Sequence, residues 1–262
     1  MTITLKIKDE AGGVLATVSG NTGVGLCYQK AFEPGDQIVL TTSKKGEFLV
    51  VSFDSTLPPT LIYLAEDEFH YPIPFGKLSE AHAPAAFQGE KHRIMVRQAC
   101  GEELSMRRNL ALNPHDMPSI EGVFPHATAN VETRNEAVFF ARNAIDGETL
   151  NSDHGKWPFS SWGINCNPNA AITVRFGKPV KTDKAVITLR ADFPHDAWWS
   201  SAQLCFSNGF ETQLALIKSA EEQVFSFPEQ TVEWVRLEKL VKADDPSLYP
   251  ALTQIQIWGT HF

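Results

Sequence analysis

Residues 171–176 (AITVRF) and 185–190 (AVITLR) are short runs in which aliphatic and β-branched residues recur at a spacing of two. That spacing belongs to a strand with one face turned inward, not to a helix. Reading outward, similar runs follow at 201–206 (SAQLCF), 211–217 (ETQLALI), 223–227 (QVFSF), 232–237 (VEWVRL) and 252–258 (LTQIQIW), each bounded by turn residues. Toward the N-terminus, Ile3, Leu5 and Ile7 alternate with Thr and Lys. Ile38 and Leu40 follow the turn Pro34-Gly35-Asp36, and 48–53 (FLVVSF) reads as a strand buried on both faces. Residues 61–64, 69–73 and 92–98 add further candidates. Short strands at such even spacing, with turn signals between them, predict an all-β protein built of β-sandwiches.

The pattern fails between 102 and 126, where Asn109, Asn113, Pro114, His115, Asp116 and Pro118 break any period. Two domains are therefore expected, residues 1–120 and 121–262, each a β-sandwich. Just past the boundary, residues 130–144 (NVETRNEAVFFARNA) carry Thr133-x-x-Glu136 ahead of Val138, Phe139, Ala141 and Ala144. This is the sequence form of a capping box and predicts one short helix. The charged residues near this seam, Glu132, Arg134, Arg142, Arg107 and Arg108, are expected to form interdomain ion pairs at the surface, which contribute little stability.

Composition narrows the function classes. With 31 Asp+Glu against 23 Lys+Arg the net charge is −8, which argues against nucleic acid or an anionic membrane as partner. No apolar run is long enough to span a bilayer, and residues 1–10 (MTITLKIKDE) do not read as an export signal, so a soluble, cytoplasmic protein is expected. The four cysteines, Cys27, Cys100, Cys166 and Cys205, lie far apart without metal-ligand spacing and are expected to be reduced apolar fillers.

Four segments of the second half, taken in order, resemble the galactose-binding-like jelly roll of discoidin-type (coagulation factor 5/8 C-terminal) domains and many carbohydrate-binding modules. They are Asn143-Ala144-Ile145-Asp146-Gly147 with Trp162-Gly163; the strand pair 172–180 and 185–190; Phe206-Ser207-Asn208-Gly209; and the closing Val235-Arg236-Leu237 and Ile255-Gln256-Ile257-Trp258-Gly259. Gln256 stands where that family commonly has Glu. The resemblance implies a carbohydrate partner. It also implies a structural Ca²⁺ in the Asp146 loop, for which Asp146, Asn143 and Asn151 are the candidate ligands, with Glu148 nearby, because this hard cation needs several oxygens.

A sugar site needs an apolar plate for the ring and firm polar groups for its hydroxyls. Residues 190–199 (RADFPHDAWW) supply that set, with Trp198 or Trp199 as the plate and Arg190, Asp192 and His195 as hydrogen-bonding groups. His154 and Trp157, in the turn-rich stretch 151–162, are further candidates, whereas Trp162 is expected to fill the core. No nucleophile elbow, phosphate loop, zinc-protease or dinucleotide motif occurs. The expected function is non-catalytic carbohydrate binding. A glycan-active hydrolase or lyase working at the domain cleft, and a protein-interaction module, are the alternatives.

Overall fold

Ile3, Leu5 and Ile7 lie fully buried while the residues between them are partly exposed, as a period of two dictates. The computed structural model describes residues 1–191 and 197–261. Its first unit runs through β1 (Ile3–Lys8), β2 (Val14–Gly20), β3 (Gly23–Tyr28), β4 (Gln37–Thr42), β5 (Glu47–Ser52), β6 (Thr60–Leu64), β7 (Glu68–Pro72) and β8 (His92–Gln98). Among the described residues these form two antiparallel sheets, ordered β2-β1-β4-β7 and β6-β5-β8-β3. Leu5, Leu40, Leu49, Val51, Ile62 and Ile94 meet in a core shared by the two sheets. On β5 the two faces differ: Leu49 and Val51 are sealed, and Phe48 and Val50 are only half-buried.

The second unit contains β9 (Arg108–Asn109), β10 (Val123–Phe124), β11 (His126–Ala129), β12 (Trp162–Gly163), β13 (Ile172–Leu189), β14 (Trp199–Phe206), β15 (Glu211–Ala215), β16 (Gln223–Lys242) and β17 (Ala251–His261). Its main path is β12-β17-β13-β16-β14-β15, all antiparallel, with β11 on β13 and β9 on β17, whereas β10 pairs with β6 of the first unit. The long strands β13 and β16 change register between Arg175 and Val180 and again between Thr182 and Lys184. Such irregularities bend a strand and sharpen its twist. The sheet closes over one core in which Trp162, Val174, Ile187, Leu204, Val235 and Ile257 are packed. Among the described residues no helix is long and apolar enough to cross a membrane, which says nothing of a β-barrel.

The segment that breaks every period is the joint between the units. Leu110 and Ala111 belong to the second core, and Met117, Ile120 and Val123 to the first, so the chain crosses and returns before β11 begins. Asn113, His115 and Asp116 are buried there. Their side chains replace the missing sheet partners: Asn113 Nδ2 donates to the Pro125 carbonyl at 2.8 Å, and Asp116 accepts from the Ala127 amide at 2.9 Å and from His126 Nδ1 at 2.6 Å. Buried backbone without such partners costs on the order of a hydrogen bond per group.

Three sequence expectations are corrected. Residues 130–144 form successive 3₁₀ turns, Thr133–Asn135, Ala137–Phe139 and Ala141–Ile145, and not one α-helix. Arg134 and Asn135 sit at φ 52°, which breaks helical continuity, and the Thr133 hydroxyl accepts from the Asn165 amide instead of capping. Arg142 does not form a surface pair but is 3% exposed. The cysteines are free, yet Cys27, Cys100 and Cys166 are exposed and fill no apolar space.

Candidate functional site

Four of the six non-glycine residues with positive φ among the described residues, Arg134, Asn135, Asn165 and Cys166, fall in two turns that face each other. Left-handed backbone costs such residues about 1–2 kcal/mol each and persists only where surrounding contacts enforce it. The contacts are visible. Thr133 Oγ1 accepts from the Asn165 amide at 2.9 Å, Trp162 Nε1 donates to the Val131 carbonyl at 2.9 Å, and Cys166 Sγ donates to the Leu248 carbonyl at 3.2 Å. Gly163 permits the approach, since a Cβ there would stand 2.6 Å from Thr133 Oγ1.

These ties draw three loops around a cavity of about 160 Å³ lined by Arg134, Phe139, His154, Asn165, Tyr249 and Pro250, among others. Arg134 is held by two hydrogen bonds from Nε and Nη2 to Glu136, at 2.9 and 2.8 Å, and its guanidinium lies 5.3 Å from the centre of the Phe139 ring. Tyr249 is 53% exposed and presents an open ring at the rim. The arrangement offers an aromatic plate, a fixed cation and an amide at one small concavity.

The structure scatters the residues singled out in the sequence. His154 lines the cavity. Arg190 lies beneath it, 1% exposed, with Nη1 donating to the Phe159 carbonyl and to Ser161 Oγ, and with burial pulling its pKa down to about 10. It supports the floor and does not reach a ligand in open solvent. Asp192 and His195 lie outside the described residues. Trp199 is 1% exposed, with its ring 6.4 Å from that of Trp162, so it is core and offers no stacking face. Trp198 is half-buried against the same core. Trp157, 37% exposed, stands at the seam, where its amide donates to the Glu80 carbonyl at 2.8 Å. Phe139, Asn165 and Tyr249 were not singled out. Tyr249 had a signal, as an aromatic within the polar, proline-flanked stretch 242–250 (KADDPSLYP).

The residues of the Asp146 loop do not fit a calcium ion. Gln254 Nε2 donates to the Asn143 carbonyl at 2.7 Å and to Asp146 Oδ1 at 2.8 Å, while Gln254 Oε1 accepts from the Gly147 amide at 3.1 Å. That three-bond pattern fixes the amide orientation and puts N–H groups where a cation would need oxygens. Arg142 Nη1, 3.9 Å from Asp146 Oδ2, already supplies a positive charge. Asn143 Nδ2 donates to the Ala137 and Ser161 carbonyls, and Asn151 Nδ2 to the Leu189 and Ala220 carbonyls, so both amides serve as backbone partners. It is Gln254 that meets this loop, and not Gln256, which bonds Glu222 and Trp258. Millimolar calcium or excess EDTA is expected to leave the thermal midpoint unchanged. Gln254→Glu, which sets a second carboxylate against Asp146, is expected to lower stability by about 1–3 kcal/mol. A calcium-dependent rise in the wild-type midpoint that EDTA reverses contradicts this reading.

No family model and no curated protein matches the chain. Similar solved structures do exist, and their chains are almost fully covered. The chain is similar to carbohydrate-binding modules. A chitosan-binding module of a chitosanase/glucanase from Paenibacillus sp. IK-5 is 19% identical, with 58% of this chain and 99% of that one covered at a TM-score of 0.40. The family 32 module of NanJ from C. perfringens, solved with galactose, is 18% identical over 50% and 91% at 0.39. A fucose-binding module from Streptococcus pneumoniae is 13% identical over 58% and 96% at 0.43.

Proposed function

We propose that this protein binds a carbohydrate, without cleaving it, in the cavity between the Thr133, Asn165 and Tyr249 loops. The observation that carries the reading is the open Tyr249 ring beside a guanidinium locked by Glu136, at a concavity whose lining includes two left-handed non-glycine residues, Arg134 and Asn165. Tyr249 serves as the plate for the C–H face of a sugar ring. Because Nε and Nη2 of Arg134 are taken by Glu136, Nη1 is the edge presented to hydroxyls, joined by the Asn165 amide and by His154. Charge-assisted bonds of this kind are short and directional, which suits reading of a single hydroxyl. Among the described residues the lining contains no Asp or Glu.

The test is a glycan array followed by calorimetry, beginning with the chitosan, galactose and fucose ligands named for the similar structures. Recovery of bound glycan intact is expected. Tyr249→Ala is expected to weaken binding about tenfold or more at unchanged thermal midpoint, since the ring is a surface anchor. Binding that survives Tyr249→Ala and Arg134→Ala together overturns this site, and shortened glycan overturns the non-catalytic reading.

A further inference from the structure

A larger cavity, about 590 Å³, lies between the two cores, with Phe48 and Tyr63 of the first unit facing Arg108, Trp258 and His261 of the second. The Phe48 ring stands 5.0 Å from that of Tyr63 and 4.8 Å from that of His261, forming a continuous aromatic wall. Lys178 Nζ lies 4.7 Å from the centre of the Tyr63 ring. Gly177, at φ +73°, brings this chain against the wall, since a Cβ there would come within 2.3 Å of the Phe124 ring.

Arg108 is the unusual member. Its Nε and Nη2 are buried and make no hydrogen bond to any of the described residues. Those two groups form the edge of a guanidinium that grips a carboxylate with parallel bonds, and Arg134 uses the same edge on Glu136. Leaving charged donors buried and unpaired is expensive, so such a pair in a cleft marks the place of an absent acceptor. Neighbouring acids among the described residues do not fill the role: Glu103, whose charge acts on Arg108, is bonded at both oxygens by Arg97, and Asp146, which lines the cleft, is held by Gln254. His261 Nδ1 is likewise buried without a partner among the described residues. Burial, with Arg108 and Lys178 nearby, pulls the His261 pKa down to about 4, so at neutral pH the ring is an uncharged hydrogen-bonding group. In a chain of net charge −8 this cleft sets Arg107 and Arg108, with Lys178 on its aromatic wall, against one acid among its described lining residues, Asp146.

We infer that the cleft is a second ligand site, distinct from the Tyr249 cavity, which binds a ring compound bearing a carboxylate, with the carboxylate on the Nε/Nη2 edge of Arg108 and the ring against Phe48, Tyr63 and Trp258. The carboxylate can be carried by a sugar, as in a uronic acid, or by an aromatic acid, and the two are separated by experiment.

The test is calorimetric titration of the full chain with glucuronate, benzoate and glucose, repeated with Arg108→Gln and Arg108→Lys. Glucuronate or benzoate is expected to bind and glucose not; whichever acid binds more tightly identifies the ring. Arg108→Gln is expected to weaken that binding about tenfold or more, and Arg108→Lys, which keeps the charge but loses the fork, to weaken it as well. Tyr249→Ala is expected to leave it unchanged, which separates this site from the one proposed above. Failure of both acids to bind, binding of glucose equal to theirs in the Tyr249→Ala variant, where the carbohydrate cavity has lost its plate, or binding unaffected by both Arg108 variants at intact thermal midpoints overturns the inference. Should Arg108→Gln fail to fold, Arg108→Lys and the comparison of acids with glucose still decide the matter.

Discussion

Replacing Arg142 by Met is expected to lower the free energy of unfolding by about 3–5 kcal/mol, the range for removing one partner of a buried ionic network. The guanidinium is almost wholly enclosed and ties its own turn to the 114–116 stretch and to Ala81. Nε donates to the Asp116 carbonyl at 2.7 Å, Nη2 to the Pro114 carbonyl at 2.9 Å, and Nη1 to Asn143 Oδ1 at 3.0 Å and, at 3.4 Å, to the Ala81 carbonyl. Met fills much of the volume but satisfies none of these acceptors, and it strands Asp146 without its cation. Ala81 lies in the connection between β7 and β8 and packs on Ala137 and Phe140, and Pro114 lies in the joint, so the loss falls on the joint between units as well as on the Asp146 loop. Urea unfolding of Arg142→Met, Asp146→Asn and the double variant checks this. The double variant is expected to be less destabilised than the sum of the singles, because neutralising Asp146 removes the stranded charge. A loss below about 1 kcal/mol would place Arg142 with ordinary surface charges.

Acidification is expected to produce the second large effect, with stability falling as pH drops from 6.5 toward 4. Burial holds His115 down at about 4 and His82 well below its ordinary 6.5, and His261 is also lowered to about 4. A histidine lowered in the folded state binds its proton more readily when unfolded, so its contribution is complete above 6.5 and is lost as pH falls through the window. For fully enclosed His115 the loss reaches about 3 kcal/mol. Asp146 acts in the opposite direction. Burial raises its carboxyl from 3.8 to about 6 against the pull of Arg142, so protonation favours the folded state between those values. That offsets roughly one histidine, and His82 and His261 decide the sign. Asp146→Asn is therefore expected to steepen the acid loss. Above neutrality His126 takes over: burial lowers its pKa, but the hydrogen bond and charge of Asp116 outweigh this and leave it raised, so its share is present below 6.5 and lost as pH rises. Urea midpoints measured from pH 4 to 8 are expected to peak near 6.5. A flat profile between 4 and 6.5, or a shallower one in Asp146→Asn, contradicts the argument.

The candidate site was only partly legible in the sequence. His154 reached the cavity because it sits in a turn-rich stretch that has nowhere to go but a loop. Arg190 and Trp199 did not, because composition at a strand end cannot tell a residue that crowns a loop from one that closes the core beneath it. Gln254 and Gln256 pose the same difficulty in a purer form. They are two apart on β17 and share a face, and only the docking of the Asp146 loop over Gln254 separates them. Phe139, Arg134, Asn165 and Tyr249 come from three separated segments whose meeting depends on two strained turns, and nothing local to any one of them announces the other two.

From its sequence alone this chain was bound to be all-β, because alternation along a strand is a local property that any core enforces in the same way. The irregular stretch between the two units was also legible as a break, since Pro and Asn interrupt periodicity wherever they fall. Which side of each strand end faces water, which arginine loses its partners, and which carboxylate is answered by an amide were decided in three dimensions. Burial and hydrogen-bond satisfaction depend on neighbours that arrive from tens of residues away, and those neighbours exist only once the sheets have closed.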